Sequence, residues 1–513
     1  MLLYLVNPAN SLVSMNLTRD RFFSRFRLWE PLGLLVLAGL TPADWQITIL
    51  DENVGPVDYD ALPRPDLVGI TAFTSQAPRA YQIATELRAR SIPVVMGGIH
   101  ATMRVAEAGR YVDSVVTGEA EAVWAEVLED VREGRLKARY DGGQAEMEHI
   151  VPARHDLLPN SYAFGSVQTT RGCSLNCTFC SVTEFNGARY RQRAIADVVK
   201  EFKSVRQSHV LIVDDNLIGR KPQHVERAKE LFRALAEART GKSWIGQTTV
   251  NFADDEELLD LAKKSGCMGV FIGFESATPE GLPELGKKSA MLSGRDIAAS
   301  VERIHRHGMM VVGSFIMGLD SDRPGVGRLI ADAAIRYGID NMNVLFLTPL
   351  PGTRLWRDLE AQGRIPMNDF PEDWKYYTLT YPVASYKYVG RDVIISEMKE
   401  CNGTFYNLSN IASRFGRDLS VGHNPLLGLL SSCTSRRNSR AFGRMYDALW
   451  PAAEAADTGE GAAVQAGSGA GGQGGLPASP TATLVDVWEV AGERLRQLAA
   501  VLKTQVSWLF RQS

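Results

Sequence analysis

The chain has 513 residues, too many for one ordinary domain, and the usual domain length of roughly 100–200 residues suggests about three. Apolar residues make up 45% of the chain, charged residues 22%, and the net charge is -3, so the composition is that of a globular protein without a bulk positive charge for nucleic acid. There is no signal-peptide pattern, and only six cysteines occur, so the sequence predicts a cytoplasmic protein rather than a secreted disulfide framework.

Residues 1–135 alternate short apolar runs with helix-like stretches. The predicted strands lie in LLYLVNP, ITILDEN, DLVGITAFT, PVVMGGIHA and SVVTGEAE. This pattern predicts a Rossmann-like, doubly wound parallel α/β sheet. Because such sheets bind ligands at the carboxyl ends of their strands, the polar and glycine residues there are candidate ligand contacts: Asn7, Thr71, Ser75, Gly97, Gly98, His100, Thr117, Gly118 and Glu119.

A polar stretch, residues 136–160, is predicted to be a linker to a second α/β domain over residues 161–365. Its strands are predicted in SVQTT, HVLIVDDN, WIGQTTVN, GVFIGFES, MVVGSFIMG and NMNVLFLTPL, with amphipathic stretches between them. Six strand and helix units predict a curved parallel sheet, a partial (β/α)6 barrel.

The remaining residues carry no motif that we can assign. Residues 366–450 predict a mainly helical extension, in which core packing is the better expectation for the aromatic residues Trp374, Tyr376, Tyr377 and Tyr381. Residues 451–483 are rich in Ala, Gly, Ser and Pro and predict a flexible linker. Residues 484–513 predict one amphipathic helix that packs on its own domain, on a protein partner or on a membrane surface, with mixed charges that favour no strong attraction to anionic lipid.

The strongest chemical signal is R-G-C-S-L-N-C-T-F-C, which places Cys173, Cys177 and Cys180 directly after a predicted strand. Thiolates are the usual ligands of iron-sulfur clusters, and a cubane held by three cysteines leaves one iron open to another ligand. Zinc is the alternative, but it requires four ligands and no fourth Cys or His lies nearby in the sequence. The histidines form no pair at metal-ligand spacing except His305 and His307, which alternate within a helical stretch and therefore diverge, and we expect them on the surface.

This cysteine triplet resembles the signature of the radical S-adenosylmethionine (radical SAM) superfamily, and the resemblance spans residues 160 to about 350. It implies a [4Fe-4S] cluster whose open iron chelates S-adenosylmethionine, and reductive cleavage of that molecule to a radical that abstracts hydrogen from substrate. A flavodoxin with its reductase, or a ferredoxin, is the expected electron donor. The resemblance implies S-adenosylmethionine contacts at Phe179, Asp215, Asn216, Glu275, Ser276, Gly313 and Gly318.

Structural roles are the alternatives at these positions. Phe179 could pack in the core, Asp215 and Asn216 could cap a helix, and Glu275 with Ser276 could be a satisfied polar pair at a strand end.

Residues 1 to about 450 as a whole resemble the cobalamin-dependent radical SAM enzymes, and among them the class B methyltransferases. That class includes hopanoid and bacteriochlorophyll-pathway methylases and a cyclase, and the resemblance implies that the first domain binds cobalamin. The D-x-H-x-x-G motif that supplies a histidine to cobalt in many cobalamin enzymes is absent, and the surroundings of His100 do not fit it. A relic sheet that binds no cofactor is the alternative.

The leading hypothesis is therefore a cobalamin-dependent radical SAM methyltransferase that adds a methyl group to an unactivated carbon of a small or lipid-like substrate. One alternative is a cyclase or oxidoreductase that uses both cofactors without methyl transfer. Another is a non-catalytic scaffold with a structural cluster. The sequence identifies no catalytic residue and no particular substrate.

Overall fold

The computed structural model describes residues 1–10, 12, 30–148, 150–158, 162–286, 294–421 and 425–457. The chain divides into a compact unit, Met1–Ala448, and a second unit, Leu449–Ser513. The second unit is described only as far as Asp457. The predicted helix over residues 484–513, and all but the start of the predicted linker before it, lie outside the described residues.

The first sheet has six parallel strands in the order β2-β1-β3-β4-β5-β6. Their bounds are Leu2–Asn7 (β1), Gln46–Asp51 (β2), Leu67–Thr71 (β3), Val94–Gly97 (β4), Ser114–Thr117 (β5) and Arg139–Asp141 (β6). The five predicted strands are confirmed. Strand β6 lies in the predicted linker, and the sequence analysis missed it because three residues, RYD, carry no strand pattern. It extends the sheet by pairing with β5.

Helices cover this sheet on both faces, as the doubly wound prediction requires. They span Leu32–Leu40, Ala77–Ala89, Gly98–Met103, Val105–Ala108 and Trp124–Arg132. Leu3 and Leu5 of β1 pack with Leu34 and Trp124 in a buried core. Chain order reverses between β1 and β3, which are neighbours in the sheet, and a crevice for a ligand opens at such a switch point.

The second sheet is also parallel and six-stranded, in the order β14-β13-β12-β11-β10-β7. Its strands span Gly165–Val167 (β7), His209–Ile212 (β10), Ser243–Thr248 (β11), Cys267–Glu275 (β12), Met310–Met317 (β13) and Asn341–Phe346 (β14). The predicted strand SVQTT is divided, because its end forms β8 (Thr170–Arg171), which pairs antiparallel with β9 (Arg191–Gln192). The open order of the strands confirms a partial barrel.

The longer helices of the barrel are amphipathic and pack against the sheet. They span Ile195–Ser204, Pro222–Glu237, Glu256–Lys264, Ile297–Arg306, Val326–Arg336 and Arg354–Ala361, and two short helices span Ser181–Asn186 and Gly281–Glu284. The helix Glu256–Lys264 begins after Asp255, because the side chain of Asp255 accepts a hydrogen bond from the amide of Leu258. The surface position expected for His305 is wrong: His305 is buried and its Nε2 lies 2.9 Å from a carboxylate oxygen of Asp340.

The C-terminal extension is mainly helical, as predicted, with helices over Arg391–Phe405, Leu408–Val421 and Pro425–Asp457. Before them, Trp374, Tyr377 and Tyr381 are buried, which confirms core packing for these aromatic residues. In the part of the chain that the structure describes, no helix is both long and apolar enough to cross a membrane.

Candidate functional site

The three-cysteine loop, residues 173–180, begins just after β8 and lies between the two paired strands β8 and β9. Gly172 adopts a φ of 86°, and a side chain there would collide with the carbonyl oxygen of Arg189, so only glycine fits this close approach. The Gly172 amide donates a hydrogen bond of 2.7 Å to Asp215 Oδ2. The same oxygen accepts one of 2.9 Å from Asn186, beyond the other end of the loop. Asp215 therefore ties both flanks of the loop to the end of β10.

The thiols of the loop are suited to a cluster. Cys177 is buried, Cys173 and Cys180 are half-buried, and none of them forms a disulfide. Burial, with a further contribution from Cys177 and Cys173, raises the pKa of Cys180 to about 12. Bound iron would supply the positive charge that such a thiol needs to ionise.

In the described ranges, no three His, Cys, Asp or Glu side chains converge as a single metal ion requires. A cubane does not require this convergence, because each of its irons takes a thiolate of its own.

A small cavity opens beside the cysteine loop at the ends of β10, β11 and β12. Four of the predicted S-adenosylmethionine contacts line it: Phe179, Asp215, Asn216 and Glu275. Two atoms in its wall, Asn216 Oδ1 and Thr248 Oγ1, are buried without a hydrogen-bond partner in the described part of the chain. Unsatisfied buried polar atoms are rare and costly, so these two are candidate contacts for a polar ligand.

Glu275 has a φ of 64°, an uncommon value for a residue with a side chain. It lies where the register between β12 and β13 shifts, after Gly273. Such local strain occurs most often at functional sites, which is consistent with a ligand contact for this carboxylate.

The other predicted contacts lie elsewhere. The Ser276 hydroxyl donates to the carbonyl of Thr278 at 3.0 Å, which is the satisfied strand-end arrangement. Gly313 packs directly against Ile339, and the amide of Gly318 donates to Asp322 Oδ2 at 2.8 Å. The structure does not place these three residues in the lining of the cavity.

The same cavity contains residues that the sequence analysis missed, namely Gln247, Thr248 and Thr249 at the end of β11. Their polar character after a predicted strand was the available signal.

A second, larger cavity of about 480 Å³ opens at the switch point of the first sheet. Its size suits a drug-sized ligand or one side of a larger cofactor. Six predicted contacts line it: Asn7, Thr71, Gly97, Gly98, Gly118 and Glu119. The rest of the lining is largely apolar and includes Leu5, Leu37 and Trp124. Phe73, with 66% of its surface exposed, stands at the end of β3 in the same wall.

Ser75, His100 and Thr117 do not line this cavity. His100 is fully buried, and its Nε2 lies 2.9 Å from the hydroxyl of Tyr81. Burial lowers the pKa of this imidazole, which favours the neutral ring. Thr117 Oγ1 donates to the carbonyl of Tyr140 at 3.3 Å. Among the described residues that line the cavity, no His, Cys, Met or Lys offers a nitrogen or sulfur ligand to a metal.

The two cavities adjoin, because Asp215 and Val182 line both. An ionic clamp fixes the first sheet against the cysteine loop at this junction. Glu119 accepts a hydrogen bond of 2.9 Å from Arg171 and one of 2.8 Å from Arg191, on the β8 and β9 hairpin. Although burial opposes ionisation, the two guanidinium groups hold the pKa of Glu119 below its usual range. The sequence analysis missed this clamp, since ion pairs between distant residues have no local signature.

Comparison with known families identifies a domain in each of two parts of the chain. Residues 167–323 match the radical SAM superfamily, and residues 23–128 match the B12 binding domain. The bacteriochlorophyllide d C-12(1)-methyltransferase of Chlorobaculum tepidum is 28% identical over 75% of this chain and 84% of its own length. The anaerobic magnesium-protoporphyrin IX monomethyl ester cyclase of Rubrivivax gelatinosus is 24% identical over 64% of this chain and 66% of its own length.

Two solved structures share the fold. The radical S-adenosylmethionine methyltransferase TsrM of Kitasatospora setae, with cobalamin and a [4Fe-4S] cluster bound, superposes with a TM-score of 0.56 over 70% of this chain and 78% of TsrM, at 21% identity. The cobalamin-dependent S-adenosylmethionine radical enzyme OxsB, with aqua-cobalamin bound, gives a TM-score of 0.61 over 90% of this chain and 81% of OxsB, at 15% identity.

The fold and the site define an α/β protein in which a B12 binding domain precedes a radical SAM barrel, with adjoining cavities at the strand ends of both. The chain thus carries the radical SAM and B12 binding domains that the sequence motifs predict, and it is similar to methyltransferases of this kind.

Proposed function

We propose that this protein is a cobalamin-dependent radical SAM methyltransferase that adds a methyl group to an unactivated carbon of a small or lipid-like molecule. The observation that carries the proposal is the shared wall of the two cavities at Asp215 and Val182. Two cofactors held in these cavities would face a common space in which one substrate carbon can meet both. The methyltransferase relative from Chlorobaculum tepidum supports methyl transfer as the outcome.

In this proposal, Cys173, Cys177 and Cys180 hold three irons of a [4Fe-4S] cluster. Phe179, Asn216, Thr248 and Glu275 would bind S-adenosylmethionine, with the unsatisfied Asn216 Oδ1 as an acceptor and Thr248 Oγ1 as a donor or acceptor. When bound, the cluster and S-adenosylmethionine supply the one-electron chemistry that removes hydrogen from an unactivated carbon. Asp215 would position the cluster loop through Gly172 and Asn186.

The larger cavity would hold cobalamin, which supplies the methyl group when bound. The apolar wall at Leu37 and Trp124 suits the aromatic base of its nucleotide tail, and Gly97 and Gly98 let the backbone approach the ligand closely. The surrounding protein would exclude solvent from the space that the two cavities share.

A flavodoxin with its reductase, or a ferredoxin, is the proposed electron donor, and the cytoplasm is the proposed compartment. Three cysteines in one loop that form no disulfide support a reducing location, since thiols there stay available to iron.

A cyclase or oxidoreductase without methyl transfer is the second candidate, favoured by the similarity to the cyclase of Rubrivivax gelatinosus. The mass of the product separates the two reactions, because a methyltransferase adds one CH2 unit to its substrate and a cyclase does not.

The first experiment is iron and cobalt analysis, with an ultraviolet-visible spectrum, of the full chain purified without oxygen from cells supplied with cobalamin. We expect one [4Fe-4S] cluster and one cobalt per chain. Cys177→Ser should lose most of the iron and keep the cobalt, whereas Cys433→Ser, at an exposed cysteine away from the loop, should keep both. Iron without cobalt in the wild-type protein would contradict the methyl transfer mechanism.

A further inference from the structure

A third cavity, of about 510 Å³, lies in the C-terminal extension, outside both cofactor cavities. The helices Arg391–Phe405 and Pro425–Asp457 form its walls. The second of these helices runs beside β14, since Ser435 contacts Asn341 at the start of that strand and Tyr446 packs on Phe346 at its end. Because β14 is the edge of the barrel sheet, this helix lies at the edge of the barrel.

The side chains that line this cavity carry an excess of positive charge. Arg436, Arg440 and Arg444 line it from one helix, at intervals of four residues, so successive side chains project about 6 Å apart along one face. In the described part of the chain, none of the three forms an ion pair or a hydrogen bond. The one carboxylate in the wall, Asp447, is already paired with Lys399.

The floor of the cavity is open because Gly403 and Gly443 carry no side chains. At Gly403 an added Cβ would meet no atom within 4 Å, and at Gly443 its nearest neighbour would be a methylene of Lys399 at 3.9 Å. The polar side chain beside Gly403 is satisfied inside the protein, since Asn402 donates to the carbonyl of Met398 and accepts from Ser439. The three guanidinium groups are therefore the groups left to recognise a ligand.

We propose that this cavity is a binding site for a small, freely diffusing molecule with two or more linked phosphate groups. A guanidinium group stays charged at all ordinary pH values and matches phosphate oxygens with two parallel hydrogen bonds. Linked phosphates concentrate several charges within the reach of three long side chains. A ring attached to the phosphates would lie against the open floor at Gly403. The site is independent of the proposed methyl transfer.

Isothermal titration calorimetry of the full chain tests this proposal, with tripolyphosphate and ATP as probes. We expect saturable binding of one probe molecule per chain, weakened by added salt. Arg440→Glu should raise the Kd of the probe at least about ten-fold, because a charge-assisted contact becomes a repulsion. Arg437→Glu makes the same charge change on the same helix, but Arg437 does not line the cavity, so this variant should bind as the wild-type protein does.

Gly403→Leu provides a test that leaves every charge in place. It fills the open floor without a collision at its Cβ and should weaken ATP binding while the Tm of the protein is unchanged or higher. Equal weakening by Arg437→Glu and Arg440→Glu, or no saturable binding, would overturn the proposal. Binding to phosphatidylglycerol vesicles but to neither soluble probe would also overturn it, in favour of a lipid surface.

Discussion

Gly98 illustrates how one residue shapes the larger cavity, where cobalamin is proposed to bind. Its φ is 88°, and a Cβ there would lie 2.6 Å from Thr71 Oγ1, in the wall of the cavity. An alanine would therefore carry both a backbone cost of about 1–2 kcal/mol and a steric conflict. The end of β4, which lines this cavity, would therefore have to move.

Gly98→Ala should lower the cobalt content of the purified protein and raise the Kd for cobalamin roughly ten-fold, with the iron content unchanged. Gly55→Ala is the control, because an added Cβ at Gly55 meets no atom within 4 Å. Metal analysis and a cobalamin titration measure both quantities. Loss of iron together with cobalt in Gly98→Ala would show general unfolding instead.

Buried polar atoms without partners have an energetic consequence at the other cavity. Each such atom costs about 1–3 kcal/mol of stability, and Asn216 Oδ1 and Thr248 Oγ1 lie in the same wall. A ligand that satisfies both would recover part of that cost.

At the scale of elements, one buried ionic network joins the first sheet to the barrel. His155 lies in the turn His155–Leu157, with Nδ1 2.7 Å from Glu30 and Nε2 3.7 Å from Glu201. Glu30 also accepts from the amide of Ser166 in β7, and Glu201 pairs with Arg193 at 2.7 Å. Burial opposes the charged ring, but the carboxylates of Glu201 and Glu30 outweigh it and raise the pKa of His155 to about 9.

This raised pKa predicts how stability changes with pH. Because the folded protein holds the proton more tightly than the unfolded chain, the stabilisation is complete below about pH 6.5, falls as the pH rises through about 9, and is then lost. The contribution of His155 to the free energy of unfolding is at most about 3 kcal/mol. The Tm of the wild-type protein should therefore decline over this range.

His155→Gln should lower the Tm at pH 6.5 and flatten its decline up to pH 9, as measured by thermal unfolding at a series of pH values. His209→Gln is the matched control, since His209 is exposed on β10. An equally steep decline in the His155→Gln protein would refute the assigned role of this imidazole.

At the scale of the whole compact unit, Trp374 holds the C-terminal extension to the helix Val105–Ala108 of the first domain. Its Nε1 donates a hydrogen bond of 2.7 Å to Glu107, which also accepts one of 3.0 Å from Tyr81. Burial opposes ionisation of Glu107, but His100, Trp374 and Tyr81 outweigh it and hold its pKa at about 2. His100 therefore stabilises the packing between domains and does not face the cavity.

Trp374→Phe should destabilise the protein by about 1–3 kcal/mol, because it keeps the aromatic packing and removes one donor from a buried carboxylate. Trp356→Phe is the control in the same aromatic cluster, where the rings of Trp356 and Trp374 lie 5.6 Å apart. Thermal unfolding of both variants measures the difference. Equal losses in the two proteins would assign the effect to ring size instead of the hydrogen bond.

The sequence by itself determined the elements and the cluster loop of this protein. Apolar periodicity identified the strands of both sheets except β6, and the spacing of Cys173, Cys177 and Cys180 identified the metal chemistry, because both signals are local. Only the tertiary structure decided which strand-end residues face a cavity. Asn7 and Glu275 line one, whereas His100 and Ser276 turn to other partners. Side-chain direction, and clamps such as Glu119 with Arg171, depend on residues that are distant in the chain and meet only when both sheets pack together.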